Sequence, residues 1–166
     1  MNLWRLDCGA QTILVGGDEN LAEVFYWGAL LPECENLKSI WNITRLDYSG
    51  GVLDGVPALS ICPEVSKTFN GHPGMRIRGA SGKRLYPNFR LTNAKLSKTS
   101  LLLEYEDPEI GLTYKANFRA HKETSVFELS ASLTANTDIL VDWFAAPVLP
   151  ATQAAQKMID FSGHWC

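Results

Sequence analysis

The chain has 166 residues, 46% of them hydrophobic and 20% charged, with a formal net charge of −3, enough for one domain with a core of its own. That balance excludes wholesale disorder, and no apolar run reaches the ~20 residues of a membrane span. The opening MNLWRLDCGAQ carries an acid and a polar break where a signal peptide needs an apolar stretch.

Four cysteines, Cys8, Cys34, Cys62 and Cys166, contain no C-x-x-C pair, and their neighbours lack the Cys/His spacing of a zinc site. Reduced thiols in a cytoplasmic protein are the expectation, without metal or other cofactor, and disulfides only if the protein is exported. Charge is unevenly spread. Residues 1–62 hold three basic and eight acidic side chains, residues 63–100 eight and one, and residues 101–166 four and nine. The basic middle is broken by turns such as Gly79-Ala80-Ser81-Gly82 and lacks the aromatic motif of an RNA-binding sheet, so neither nucleic acid nor membrane is expected as a partner.

In chain order, strands are predicted at Trp4–Asp7, Thr12–Val15 and Glu23–Trp27. A helix is predicted from Glu35 to Leu46, with Leu37, Ile40 and Trp41 at helical spacing and Glu35 near the positive end of the dipole. Residues 47–82 read as loop country with seven glycines and three prolines, enclosing short strands at Ala58–Ile61 and Met75–Arg78. Leu101–Tyr105 reads as a strand buried on both sides. From Ile110 to Phe118 apolar and polar residues alternate strictly, a pattern repeated over Phe127–Leu133 and Ile139–Ala145, as strands with one buried face require. Short polar connections at 107–109, 121–123 and 136–138 join these four strands into an antiparallel meander. The fold class predicted is mainly all-β, an antiparallel two-sheet sandwich with one short helix, in a single domain over residues 1–166.

Few residues promise chemistry. No G-x-G-x-x-G, Walker lysine or G-x-S-x-G elbow occurs. Glu104, Glu106, Asp107 and Glu109 crowd one turn, but an outward turn leaves them solvated, without the raised pKa an acid catalyst needs. His121 falls in a hairpin turn and His164 near the chain end. Trp27, Trp41 and Trp143 fall on faces expected to be buried. The most unusual stretch is Cys62–Met75, where two prolines and two glycines give a shaped loop displaying Glu64, Lys67, Phe69, Asn70 and His72. Phe69, Asn70 and His72 are the candidate binding residues, a ring to stack on a sugar's C–H face and polar groups for its hydroxyls. No catalytic residue is assigned.

Several segments, in order, carry a resemblance: VFYWGALLP (24–32), PALSICPE (57–64), GHPGMRIR (71–78), the stretch 101–137, and FSGHWC (161–166) with a Gly-x-Trp signature. Together they resemble the N-terminal domain of α-galactosidases of glycoside hydrolase family 36 (melibiases). His164 stands where the family usually has arginine, Asn136-Thr137-Asp138 lacks its usual glycine, and the 47–75 loop is shorter than in tetrameric bacterial members. The resemblance implies a galactose-mutarotase-like β-supersandwich beside a C-terminal catalytic (β/α)8 barrel of the same polypeptide. That barrel's two aspartates would work by retaining double displacement on the terminal α-galactosyl residues of oligosaccharides. The sandwich would then be non-catalytic, buttressing the barrel, joining subunits into a homo-oligomer, and lending the 64–75 loop to the sugar pocket. A free-standing carbohydrate-binding module and a mutarotase-like epimerase using His72 or His121 are the alternatives.

Overall fold

The computed structural model describes residues 1–44 and 59–151, with 157 and 159. Among these the chain runs through β1 (Asn2–Cys8), β2 (Gln11–Gly17), β3 (Glu23–Ala29), helix α1 (Leu37–Thr44), a 3-10 turn (Val65–Lys67), β4 (Met75–Gly79), β5 (Arg84–Leu85), β6 (Arg90–Leu96), β7 (Ser100–Asp107), β8 (Leu112–His121), β9 (Val126–Ala135) and β10 (Ile139–Phe144). All pairings between named strands are antiparallel, in three sheets ordered β1-β2-β3, β10-β4-β5 and β6-β7-β8-β9. The mainly all-β, antiparallel class expected from the sequence is the one found.

The alternation predicted over 110–118 is the inner face of β8. Leu112, Tyr114, Ala116, Phe118 and Ala120 are buried, and they face a core that also takes Leu101, Leu103 and Tyr105 from β7. Leu6, Cys8, Ile13 and Val15 of the first sheet and Met75 and Ile77 of β4 complete the same cluster. Polar contacts pin the sheets together. The buried Tyr105 hydroxyl accepts from the Ala22 backbone N–H at 3.2 Å, and Gln11 Nε2 donates to the Ser125 carbonyl at 2.9 Å. Gly9, with φ at +58°, turns β1 into β2 directly against Ser125, where a Cβ would come within 1.9 Å of the serine oxygen.

Four expectations are corrected. First, the meander does not continue into 139–145. β10 instead pairs with β4 in another sheet, and β6, not predicted at all, takes the free edge beside β7. Second, Trp27 and Trp143 are 42% and 46% exposed; only Trp41 is buried. A register shift between Val141 and Trp143 breaks the alternation of β10, so counting by twos fails across it. Third, α1 begins at Leu37 and has no acid in its first turn; Asn36 Oδ1 caps it by accepting from Ser39 N–H at 3.1 Å. Fourth, of the strand predicted at 58–61, the described residues 59–61 hold a single bridge, Ser60 to Glu23. The predicted helix end at 45–46, the loop through 58 and the 161–166 motif lie outside the described residues. Among the described residues no helix is long and apolar enough to cross a membrane.

Candidate functional site

The 62–75 loop is held at its base. Ile61 N–H donates to the Ala22 carbonyl and Val148 N–H to the Ile61 carbonyl, both at 2.8 Å, which fixes the strand-like entry. Gly74 N–H donates to the Pro63 carbonyl at 2.9 Å and closes the loop on itself. Between these points the chain makes the 3-10 turn and reverses through Thr68, whose φ is +61°. Ser66 Oγ donates to the Pro87 carbonyl at 2.7 Å, tying the loop to the β5–β6 connection.

Glu64 is the residue whose setting the sequence concealed. Read as displayed, it is in fact 8% exposed, with Oε1 accepting from the Phe89 backbone N–H at 3.1 Å. The apolar run Ile61-Cys62-Pro63 that precedes it is itself buried and carries the carboxyl inward. Burial pushes its pKa up to about 7. The Phe89 hydrogen bond and the Lys67 charge oppose that rise, and Asp107 adds to it. Next to it burial, reinforced by the Glu64 charge, pushes the Cys62 thiol up to about 12, so this thiol is not a nucleophile near neutrality. Cys8 and Cys34 are likewise unpaired, Cys34 on the surface.

Two cavities meet at Glu64. One, of about 460 Å³, is lined by Trp41, Phe69, Lys67, Glu23 and Asn20 as well. The other, of about 300 Å³, runs between the loop and the sheet of β4 and β5, with Arg76, Arg84, Tyr86 and Phe89 among its walls. Of the three candidate binding residues only Phe69 lines either cavity, with its ring lying over Gly71. Asn70 is exposed and without a hydrogen bond among the described residues. His72 is exposed and turns to the other side, its ring edge-on to Trp143 at 4.9 Å between centroids. Its Nδ1 lies 3.1 Å from the Pro73 carbonyl, which requires the proton on Nδ1.

The acidic turn is not uniformly solvated. Asp107 is buried, and its carboxylate accepts from the backbone N–H groups of Asn88 at 2.7 Å, Glu109 at 3.0 Å and Ile110 at 3.2 Å. It is a structural cap for the β7–β8 turn, whereas Glu106 and Glu109 stay exposed. Glu104 binds Lys115 Nζ at 3.0 Å across the sheet. His121, placed in a hairpin turn by the sequence, ends β8 and has a carboxylate partner: Nε2 is 2.7 Å from Glu128 Oε2, diagonally across β8 and β9 and open to solvent. Among the described residues no group of three or more His, Cys, Asp or Glu is placed to hold a metal ion.

Comparison with known proteins follows the fold. Residues 20–166 match the family model of the glycosyl hydrolase family 36 N-terminal domain. No curated protein matches the chain. Among solved structures it is similar to the GH36 alpha-galactosidase AgaA of Geobacillus stearothermophilus in complex with raffinose, with a TM-score of 0.67 and 13% identity over 87% of this chain and 24% of that one. AgaB of the same organism gives 0.63 and 12% over 88% and 24%. The alpha-galactosidase of Lactobacillus brevis gives 0.61 and 14% over 87% and 23%. The chain thus spans about a quarter of the solved proteins it resembles. With the family model matched over most of its length and the same antiparallel architecture in these neighbours, the chain belongs to the glycosyl hydrolase family 36 N-terminal domain family.

Proposed function

We propose that this chain is the non-catalytic N-terminal domain of an α-galactosidase acting on terminal α-galactosyl residues of oligosaccharides, whose barrel follows in the same polypeptide. The observation that carries the reading is the family match over residues 20–166, together with a fold shared with alpha-galactosidases solved with raffinose and stachyose. In this reading the sandwich buttresses the barrel, takes part in subunit contacts, and offers the 64–75 loop to the mouth of the sugar pocket. Phe69, Asn70 and His72 are its contacts. Two features support that last role: the loop is tied down at both ends, and its tip leaves Asn70 and His72 open to solvent.

The test compares this chain alone with the longer protein on an aryl α-galactoside. The longer protein is expected to hydrolyse it and the chain alone to leave it intact; turnover by the chain alone at an enzyme-like rate would sink the reading. Within the longer protein, Phe69→Ala and His72→Ala are each expected to raise KM with kcat little changed. Unaltered KM in both removes the loop from the sugar pocket.

A second reading, a carbohydrate-binding module, is favoured by one observation: Trp27 and Trp143 are exposed on sheet surfaces. Saturable binding of galactose or raffinose by the lone chain would select it.

A further inference from the structure

The sheet β6-β7-β8-β9 has two edges of opposite character. β6 is guarded as edge strands usually are: it carries Arg90 and Lys95, and a register shift between Leu91 and Asn93 breaks its ladder. β9 has none of these devices. It contains no proline and no basic residue, and it pairs with β8 from Val126 to Ala135 without a shift. Its one charge, Glu128, is held within the sheet by His121 at 2.7 Å. Among the described residues no strand pairs with its outer edge.

The apolar face of β9 is correspondingly unfinished. Phe127, Leu129, Ala131, Leu133 and Ala135 pack against the common core, yet each is only partly buried, whereas the residues paired with them on β8 are buried. A backbone ladder left open over about 30 Å beside an apolar strip is the arrangement that accepts a further strand.

Parity, charge and size decide which strand fits. Side chains alternate between the two faces, so an antiparallel copy of β9 sets apolar against apolar only if the numbers of facing residues add to an even total. The start of the strand is already taken: the Val126 carbonyl accepts from Cys8 Sγ at 3.4 Å, and Gly9 lies against Ser125. A two-fold axis at Ala131 uses the rest, from Phe127 to Ala135. It sets Phe127 opposite Ala135 and Leu129 opposite Leu133 on the core face. On the outer face it sets Glu128 opposite Thr134 and Ser130 opposite Ser132. Apolar residues meet apolar ones, the largest meets the smallest, and no charge meets a charge.

We propose that this chain forms a two-fold dimer in which β9 pairs antiparallel with β9 of a second copy, joining the two four-stranded sheets into one continuous sheet. The contact is isologous and uses each open edge once, so it closes at two copies, and the guarded β6 edges stop the sheet from growing. About eight to ten backbone hydrogen bonds fix the register, and the facing apolar residues supply the burial. One strand against one strand is a small contact, so dissociation at about 10–100 μM is expected. The dimer gives the subunit contacts of the reading above a place in the fold, and it rests on that reading for its setting in the longer protein.

Sedimentation of the chain between about 1 and 500 μM is expected to show monomer giving way to dimer. Reductant is present throughout, because Cys34 is an exposed thiol. Over the same range amide exchange is expected to slow at every second residue from 127 to 135 as the concentration rises. S130E/S132E, at two exposed positions of the outer face, opposes like charges twice in this register and is expected to weaken the dimer about tenfold or more. S130K/S132E sets opposite charges in the same places and is expected to dimerise at least as tightly as the parent. Far-UV circular dichroism shows whether both variants keep the fold; if S130E/S132E loses it, S130K/S132E and the exchange rates still decide. The proposal fails if the chain stays monomeric to about 500 μM, if a dimer forms with exchange along β9 unchanged, or if the two folded variants dimerise alike. None of these outcomes bears on galactoside hydrolysis by the longer protein, so the two readings fail separately.

Discussion

Tyr105 and Tyr114 make a pair of buried phenols with opposite accounts. The Tyr105 hydroxyl satisfies the Ala22 N–H, whereas the Tyr114 hydroxyl is buried without a partner among the described residues. Tyr105→Phe is therefore expected to cost about 1–3 kcal/mol, since it orphans a buried donor. Tyr114→Phe removes an unmet polar group and is expected to be neutral or to stabilise by about 1 kcal/mol. Urea unfolding of the two variants checks the contrast; equal losses would mean that both hydroxyls are partnered.

Glu64 gives a pH signature with a definite sign. Its folded pKa lies above that of a free carboxyl, so the folded chain keeps a proton the unfolded chain releases. Stability from this group therefore falls as pH rises from about 4.5 to about 7, and the full cost is present above that window. Glu64→Gln keeps an oxygen for the Phe89 N–H and cannot ionise. It is expected to flatten the profile and to gain stability above pH 7, by at most about 3 kcal/mol. A variant whose stability tracks the parent at every pH would show that Glu64 ionises normally.

At the scale of elements, the loop and the edge strands explain what could be read from the chain and what could not. β8 was legible because its inner face is buried from Leu112 to Ala120, so every second residue is apolar. β6 was not, because it is an edge strand, exposed along most of its length and carrying Arg90 and Lys95. Such edges are kept polar to block further pairing, and so lack the alternation that announces a strand. The cavity residues divide in the same way. Phe69 stood out as an aromatic in a loop of prolines and glycines, while Arg76 and Arg84 looked like ordinary surface charges. They line one cavity only because β4 and β5 pair in one register. The loop itself depends on Gly74, where a Cβ would come within 2.6 Å of the Cys62 sulfur and 2.8 Å of its Cα. The second of these is backbone and cannot swing aside. Gly74→Ala is expected to cost about 1–3 kcal/mol and to loosen the 62–75 segment, read as faster amide exchange at Gly74. Exchange at the parent rate would mean that the base of the loop tolerates the methyl group.

Across the whole molecule one core joins the sheets, with side chains from β1, β2, β4, β7 and β8 in the same buried cluster. Phe118, fully buried in it, is expected to cost about 3–5 kcal/mol on truncation to Ala while unfolding remains a single transition, seen alike by tyrosine fluorescence and far-UV circular dichroism. Two separated transitions would mean that the sheets do not share a core. The amino-acid sequence by itself determined the class of this protein. Alternation with a period of two depends on which face of a strand is wet, a local property written residue by residue, and the ordered motifs carried the family. The tertiary structure alone decided where strands pair and which charges are left over. β10 leaves its sequence neighbours for β4, Glu64 goes inside, and Arg76 and Arg84 come to line one cavity with it. These outcomes rest on contacts between residues far apart in the chain, and no local pattern of hydrophobicity records them.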